Sequence, residues 1–320
     1  MSSIASDSRT AALSSTLPGW SSLPAEYAIP EEAPTLAQSQ EYCRRLARTH
    51  YENFSVASWF LPQRLRQEFF NVYAYCRISD DLGDEVGDHK ASLQLLDQWE
   101  TELDACYSGS PRHPVFVALA ETVRKCEIPK QTFVDLLTAF RQDQRISRYP
   151  TFAYVLGYCR YSANPVGHLV LYVCGYRDAE RQAFSDFTCT ALQLANFWQD
   201  VSVDYANGRI YLPLEDLRRF GVTEDDIAAQ RNTSAFCDLM RFEVQRARDW
   251  FRQGLPLIKK VDRELAIDIE LFSRGGQEIL NAIEGQGYNV LGRRPAISKS
   301  RKLALVAGAA WGKFLRGKRA

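Results

Sequence analysis

Over most of this chain apolar residues return every three or four positions, as in Phe69, Val72, Tyr73 and Cys76, and again from Leu192 to Phe197. That spacing lays one apolar stripe along a helix. No run of alternating β-branched residues offers a strand. The chain is therefore confined to packings of helix on helix, and an all-α fold is expected. Glycine and proline punctuate it at Pro62, Gly109–Pro114, Pro129, Pro150, Gly175, Gly208–Pro213 and Gly285–Gly287. Between these marks the pattern predicts helices over 37–49, 62–84, 89–107, 115–125, 130–144, 151–160, 163–174, 179–206, 214–218, 224–229, 233–254, 262–284 and 298–315. Pro62 suits the first turn of its helix, where a missing N–H costs nothing.

The 320 residues exceed the commonest domain size, yet no linker interrupts them, so 36–297 read as one domain. A hydrophobic share of 46% suffices for a large core. Residues 1–35, rich in Ser, Ala, Thr and Pro, read as a poorly ordered arm. Arg9 has no apolar run behind it, which excludes a secretory signal, and no stretch reaches the length of a membrane span. The eight cysteines form no CxxC and no ligand spacing with the four histidines. Zinc and disulfide frameworks are set aside, and reduced thiols in a cytoplasmic protein fit best. The formal net charge is zero, so nothing global points to nucleic acid. Charge is uneven only at the end. From Arg293 to Ala320 there are nine basic residues and no acidic ones, around LALVAGAAWGKFL. The segment 298–320 suits peripheral attachment to an anionic membrane surface, at the inner face, and equally a terminal helix packed on the domain; the sequence leaves both open.

Two pairs of carboxylates carry the chemistry: Asp80/Asp84 in YCRISDDLGDE, and Asp200/Asp204 in NFWQDVSVDYANGRIYLP. Residues four apart share a helix face, so each pair presents two carboxylates together. Mg2+ takes oxygen ligands, commonly one or two carboxylates plus substrate phosphates. Two such pairs facing each other across a helical cavity would hold Mg2+ ions and, through them, a diphosphate. A lone DxxxD is common on exposed helices, and Asp81, Glu85 and Asp88 read as a solvated acidic helix end. The second pair is more telling. Asn196, Asp200 and Asp204 form a ladder at intervals of four, with Gln193 three residues earlier, inside the apolar ALQLANFWQDV. Such a ladder is costly to bury without partners. Tyr73 and Arg77 precede Asp80 by seven and three residues, on roughly its face. An arginine there supplies charge-assisted hydrogen bonds to a leaving diphosphate. Arg209, after the Asn207–Gly208 turn, aims back toward the ladder or pairs with a structural carboxylate, while Tyr211 and Pro213 fix the chain.

These two segments resemble the aspartate-rich signatures of the squalene/phytoene synthase family, the head-to-head trans-isoprenyl synthases. RQDQRISRY (141–149), YCRYSANPVG (158–167) and GYNVLGRR (287–294) extend the resemblance over most of 40–300. The resemblance implies an isoprenoid synthase fold around a central channel and Mg2+ as cofactor. By motif, Asp80, Asp84, Asn196, Asp200 and Asp204 look like the metal and diphosphate set. Tyr73, Arg77 and Gln193 look like substrate contacts, and Tyr288 resembles a late tyrosine that closes on a diphosphate. Asp143 matches an acidic position of the family. Tyr158, Ala163, Val166 and Gly167 match a helix lining the prenyl channel, where small residues let the isoprenoid approach the backbone.

Three departures stand out. HYENFSVAS (50–58) replaces a Ser-x-Ser segment that contacts diphosphate, which makes His50, Tyr51, Glu52 and Asn53 the candidates there. Gln199, after Trp198, stands where an arginine is usual, and the small-residue segment reads Ala163-Asn164-Pro165-Val166-Gly167. Together they look like the bacterial hydroxysqualene synthase branch of the hopanoid route, which converts presqualene diphosphate to hydroxysqualene. A site holding one diphosphate manages with fewer cations, which is the reading given to Gln199. Ionisation, ring opening and water capture are implied. Phe54, Tyr73 and Phe197 are candidate aromatic faces for the migrating charge. Asn53, Tyr73 and Asn164 are candidates for holding the water. Squalene formation would need hydride, and no GxGxxG motif is present. Alternatives are a condensing synthase joining two prenyl diphosphates, and a non-catalytic scaffold of the same fold. The expected partners are a prenyl diphosphate and, for a lipophilic product, a membrane surface or the next pathway enzyme.

Overall fold

The computed structural model describes residues 23–49, 63–298 and 301. Among them are thirteen α-helices and no strand; one β-bridge joins Arg148 to Ile210. They form two compact units, one of residues 23–49 with 64–145, the other of residue 63 with 146 onward. No helix of the described residues is long and apolar enough to cross a membrane. The expected helix at 298–315 lies outside them, apart from its Ser298 and Arg301.

The first unit holds α1 (Leu36–Thr49), α2 (Arg66–Asp84), α3 (His89–Ser108), α4 (Pro114–Cys126) and α5 (Lys130–Asp143). α2 is its centre and packs on the other four. One 3-10 turn at Gln63–Leu65 precedes it, so the helix proper starts later than Pro62. Tyr75, Trp99, Phe116 and Phe133 fill the interior, with ring centroids 4.9 Å apart for Tyr75–Phe133 and 4.4 Å for Trp99–Phe116. Each polar handle is satisfied: Tyr75 O–H donates to the Phe133 carbonyl at 2.9 Å, and Trp99 Nε1–H to Ser79 Oγ at 2.9 Å. Asp88, read from the sequence as a solvated acid, is the N-cap of α3 and accepts from Ala91 N–H at 2.7 Å.

Residues 23–35, expected within a poorly ordered arm, depart from that expectation. Leu23, Tyr27 and Ile29 are buried, and the Glu26 carbonyl accepts from Tyr42 of α1. Average composition hid these closely spaced apolar anchors among Ser, Ala and Pro.

The second unit holds α6 (Phe152–Ser162), α7 (Asn164–Val173), α8 (Ala179–Gln199), α9 (Val201–Ala206), α10 (Leu214–Phe220), α11 (Glu224–Ala228), α12 (Ser234–Gly254) and α13 (Arg263–Gly285). α8 is the hub, packed on α6, α7, α12 and α13. Its neighbours come close where glycine removes a side chain. A Cβ on Gly167 of α7 would sit 2.2 Å from Ser185 Oγ and 2.6 Å from Cys189 Sγ. The small residue at 167 therefore serves helix–helix contact, which corrects the expectation that it opens the backbone to a prenyl chain. Its neighbour Val166 is 42% exposed, while Tyr158 and Ala163 are buried. Between α10 and α12, Arg246 bridges the buried Asp216 and Glu243 at 2.8 and 3.0 Å, with the Phe152 ring 4.0 Å from its guanidinium. Burial pushes the Glu243 carboxyl well above its ordinary range.

All eight cysteines are free thiols. Burial pushes Cys43, Cys106 and Cys159 up to about 12.

Candidate functional site

Asp80 and Asp84 occupy the last turn of α2, Asp80 half-buried and Asp84 exposed. Withdrawal from water, then the charge of Asp84, pushes the Asp80 carboxyl up to about 6, against the opposing pull of Arg77. Arg77 is largely committed elsewhere. Its Nε donates to Asp81 Oδ2 at 3.0 Å and its Nη2 to Asp81 Oδ1, while Nη1 reaches Asp80 Oδ2 only at 3.4 Å. Asp81 is 5% exposed and also accepts from Tyr27 O–H at 2.7 Å. The reading of Asp81 as a solvated helix end is thus overturned: it is the buried anchor of Arg77. Its partner Tyr27 lies 54 residues earlier, beyond any local pattern. Tyr73 is half-buried, and burial raises its phenol above the ordinary range.

The polar ladder lies at the α8–α9 junction. The predicted continuous helix 179–206 breaks at Asp200, whose φ of −104° and ψ of 12° close α8. The ladder survives the break because Asp200 N–H donates to the Asn196 carbonyl at 2.9 Å and Asp204 N–H to that of Asp200 at 2.8 Å. Asn196 is exposed; Gln193, Asp200 and Asp204 are half-buried. Gly208, at φ 80°, turns the chain so that Arg209 N–H donates to the Asp204 carbonyl at 2.8 Å. This turn brings the Arg209 backbone back to the end of the ladder.

Arg294 was missed as a site residue. Its guanidinium forks onto Asp200, with Nε on Oδ1 and Nη2 on Oδ2 at 2.9 Å. Nη2 also donates to Gln199 Oε1 at 3.2 Å, and Gln199 Nε2 donates to the Pro295 carbonyl at 2.5 Å. The reading of Gln199 as a lost cation is corrected here. The position itself is neutral, but a guanidinium from 95 residues later sits against it. The sequence showed Arg294 as the last residue of GYNVLGRR and as one of nine basic residues near the C terminus, with nothing to place it on Asp200.

Other candidates find definite places. Tyr288 sits at φ 64° in the left-handed turn that ends α13, its O–H on Glu284 at 3.3 Å and the Arg241 guanidinium 4.9 Å from its ring. Phe197 is 5% exposed and stacked on Tyr211 at 3.8 Å, with Tyr158 beside both. That enclosed ring is a packing element, not an open aromatic face. Asn164 Oδ1 accepts from Thr190 Oγ1 at 3.0 Å. Asp143 is buried at the end of α5. His50, Tyr51, Glu52, Asn53 and Phe54 lie outside the described residues.

No group of three or more His, Cys, Asp or Glu side chains that could hold a metal forms among the described residues. Two carboxylates on one helix face, one of them reluctant to ionise, still suit a hard cation that completes its shell with water and phosphate oxygens.

Residues 47–301 match the family model described as squalene/phytoene synthase. A 15-cis-phytoene synthase of Synechocystis sp. is 30% identical over 301 residues, 88% of this chain and 89% of that protein. The crystal structure of squalene synthase HpnC from Alicyclobacillus acidocaldarius is 46% identical, with a TM-score of 0.76 over 85% of this chain and 99% of that one. A dehydrosqualene synthase in complex with a ligand is 26% identical, with a TM-score of 0.78 over 88% of this chain and 98% of that one. The all-α architecture is the isoprenoid synthase fold of these neighbours. The chain belongs to the squalene/phytoene synthase family, the head-to-head prenyl diphosphate synthases of isoprenoid biosynthesis.

Proposed function

We propose that this protein converts presqualene diphosphate to hydroxysqualene with the help of Mg2+. The observation that carries the chemistry is the Asp80/Asp84 pair, where withdrawal from water and then the neighbouring Asp84 charge push Asp80 up to about 6. The 46% identity to the squalene synthase HpnC structure supports placing the reaction in the squalene and hopanoid branch. Asp80 and Asp84 on α2, and Asn196, Asp200 and Asp204 at the α8–α9 junction, are the residues that would hold Mg2+. The bound cation would supply Lewis acidity and neutralise the departing diphosphate. Arg77, oriented by Asp81, keeps one guanidinium edge toward Asp80. Tyr73 keeps its proton because burial raises its phenol, so it can donate to an oxyanion or hold the water. Loss of diphosphate gives a cyclopropylcarbinyl cation, ring opening gives an allylic cation, and water captures it as the alcohol.

A second reading is a condensing synthase that takes two prenyl diphosphates. Arg294 favours it, because a guanidinium at Gln199 restores the cation whose loss argued for a single diphosphate. Both carboxylate pairs are complete, which argues against a scaffold. Incubation of purified enzyme and Mg2+ without NADPH, with farnesyl diphosphate in one tube and presqualene diphosphate in another, separates the readings. Hydroxysqualene from the second tube alone supports the first. Consumption of farnesyl diphosphate replaces it with the condensing synthase. The basic segment 298–320 is further proposed to bind anionic membrane, delivering a lipophilic product there or to a neighbouring pathway enzyme. A chain shortened to end at Arg294 should then lose co-sedimentation with anionic liposomes, and equal binding by both lengths would refute it.

A further inference from the structure

After α13 the chain turns at Gly287 and Tyr288 and runs without regular structure past the α8–α9 junction. Val290 and Leu291 are buried, and the Val290 carbonyl accepts from Ser202 Oγ at 3.3 Å. Gln286 Nε2 donates to the Arg293 carbonyl at 3.3 Å. Further on, Arg301 forks onto Glu278 with both bonds at 2.8 Å. The segment is thus a strap pinned on both sides of Arg294.

Gln199 is 5% exposed, and both ends of its amide are used. Its oxygen accepts from a guanidinium, and its nitrogen donates to a carbonyl. Arginine is only a donor and a backbone carbonyl only an acceptor, so one amide orientation alone satisfies both. A cationic side chain at 199 could not do this, since it has no acceptor. The residue at 199 therefore bonds the strap directly at Arg294 and at Pro295. The Arg294 fork in turn occupies both oxygens of Asp200.

We propose that Gln199 is a positioning residue that clasps Arg294 onto Asp200, so that this carboxylate stays capped until a divalent cation displaces the guanidinium. The inference rests on the reading of the ladder as a cation site. Cation and guanidinium compete for the two oxygens of Asp200 and repel each other. Arg294 is half-exposed, so the exchange takes place at the surface without unfolding anything.

The test is a Mn2+ titration by electron paramagnetic resonance, without diphosphate, on the full chain carrying Asp80→Asn and Asp84→Asn so that only the ladder reports. Adding Arg294→Gln should tighten Mn2+ binding roughly two- to five-fold, the size of a solvent-exposed ion pair. Gln199→Leu should tighten it in the same direction although it changes no charge. Arg294→Lys should fall between, since an ammonium keeps the charge without the fork. Arg294 is exposed, so its variants report even if Gln199→Leu fails to fold. Asp204→Asn serves as the control. If it weakens Mn2+ binding while Arg294→Gln binds like the parent, the clasp is wrong and the cation site stands. If Asp204→Asn changes nothing, the cation site falls and the clasp falls with it.

Discussion

Gly275 and Gly276 are neighbours near the middle of α13, yet adding one methyl to each should have opposite effects. Both occupy helical positions, so Ala at either gains about 1 kcal/mol of helix propensity. A Cβ at Gly275 meets nothing within 4 Å, so Gly275→Ala should stabilise by about that amount. A Cβ at Gly276 would lie 2.4 Å from Phe251 Cζ, 3.2 Å from Phe251 Cε1 and 2.8 Å from Leu192 Cδ2. Phe251 is 2% exposed and cannot swing into open space. Overpacking of a filled core costs roughly 1–3 kcal/mol. Contacts this short against a buried ring belong at the upper end, so Gly276→Ala should destabilise by about 1–2 kcal/mol net. The gap between the two variants is then about 2–3 kcal/mol, and because both start from the same residue in one helix, propensity cancels from it. Urea unfolding followed by circular dichroism gives both values, and melting gives a shift of roughly 1–2 °C per kcal/mol in a chain of this size. The same displacement pushes α13 off α8, the helix that carries Asn196, so Gly276→Ala should also lower turnover. If Gly276→Ala stabilises as much as Gly275→Ala, the close packing on which α8 is positioned here is refuted.

Three other outcomes follow from the site and its supports. The Asp80 carboxyl titrates near 6 when folded and near 4 when unfolded, so between these values the folded state binds more protons and stability falls as pH rises. A cation must displace that proton, so Mg2+-induced protection in thermal melts should grow from pH 5 to 7 and then level off; equal protection at pH 5 and 7 would sink this. Tyr27→Phe removes one donor from the buried Asp81 and should cost about 1–2 kcal/mol in urea unfolding, whereas no loss would mean that Arg77 alone suffices. Arg246→Met leaves Asp216 and Glu243 buried together and should cost about 3–5 kcal/mol, partly recovered by Glu243→Gln; a loss under about 1 kcal/mol would show that the bridge is dispensable.

The helices were legible because their evidence is local. Apolar spacing and Gly or Pro marks placed α3, α5, α12 and α13 within a residue or two of their observed ends. The Asp200 break was not, because the ladder's hydrogen bonds span it unchanged, so the spacing of four persists through the junction. The site residues that were misread share one property: each has at least one partner beyond the reach of local spacing. Asp81 looked like any acid at a helix end until Tyr27 was placed on it. Gln199 looked like a missing charge until Arg294 arrived beside it. Gly167 was read against a ligand, but its nearest neighbours are Ser185 and Cys189 of the next long helix. Periodicity reports which face a residue occupies and is silent about what that face meets.

The cysteines turn this enzyme into its own stopwatch. Four lie in the first unit, at 43, 76, 106 and 126, and four in the second, at 159, 174, 189 and 237. Cys43, Cys106 and Cys159 are buried, and the thiol of each holds its proton to about 12, so none offers a thiolate to a labelling reagent while its helix stays packed. Each modification event at these sulfurs therefore marks an opening of the helix that carries it. Mass spectrometry of a timed alkylation would read two clocks from one sample, with no label to engineer, and would tell which half of the molecule breathes first.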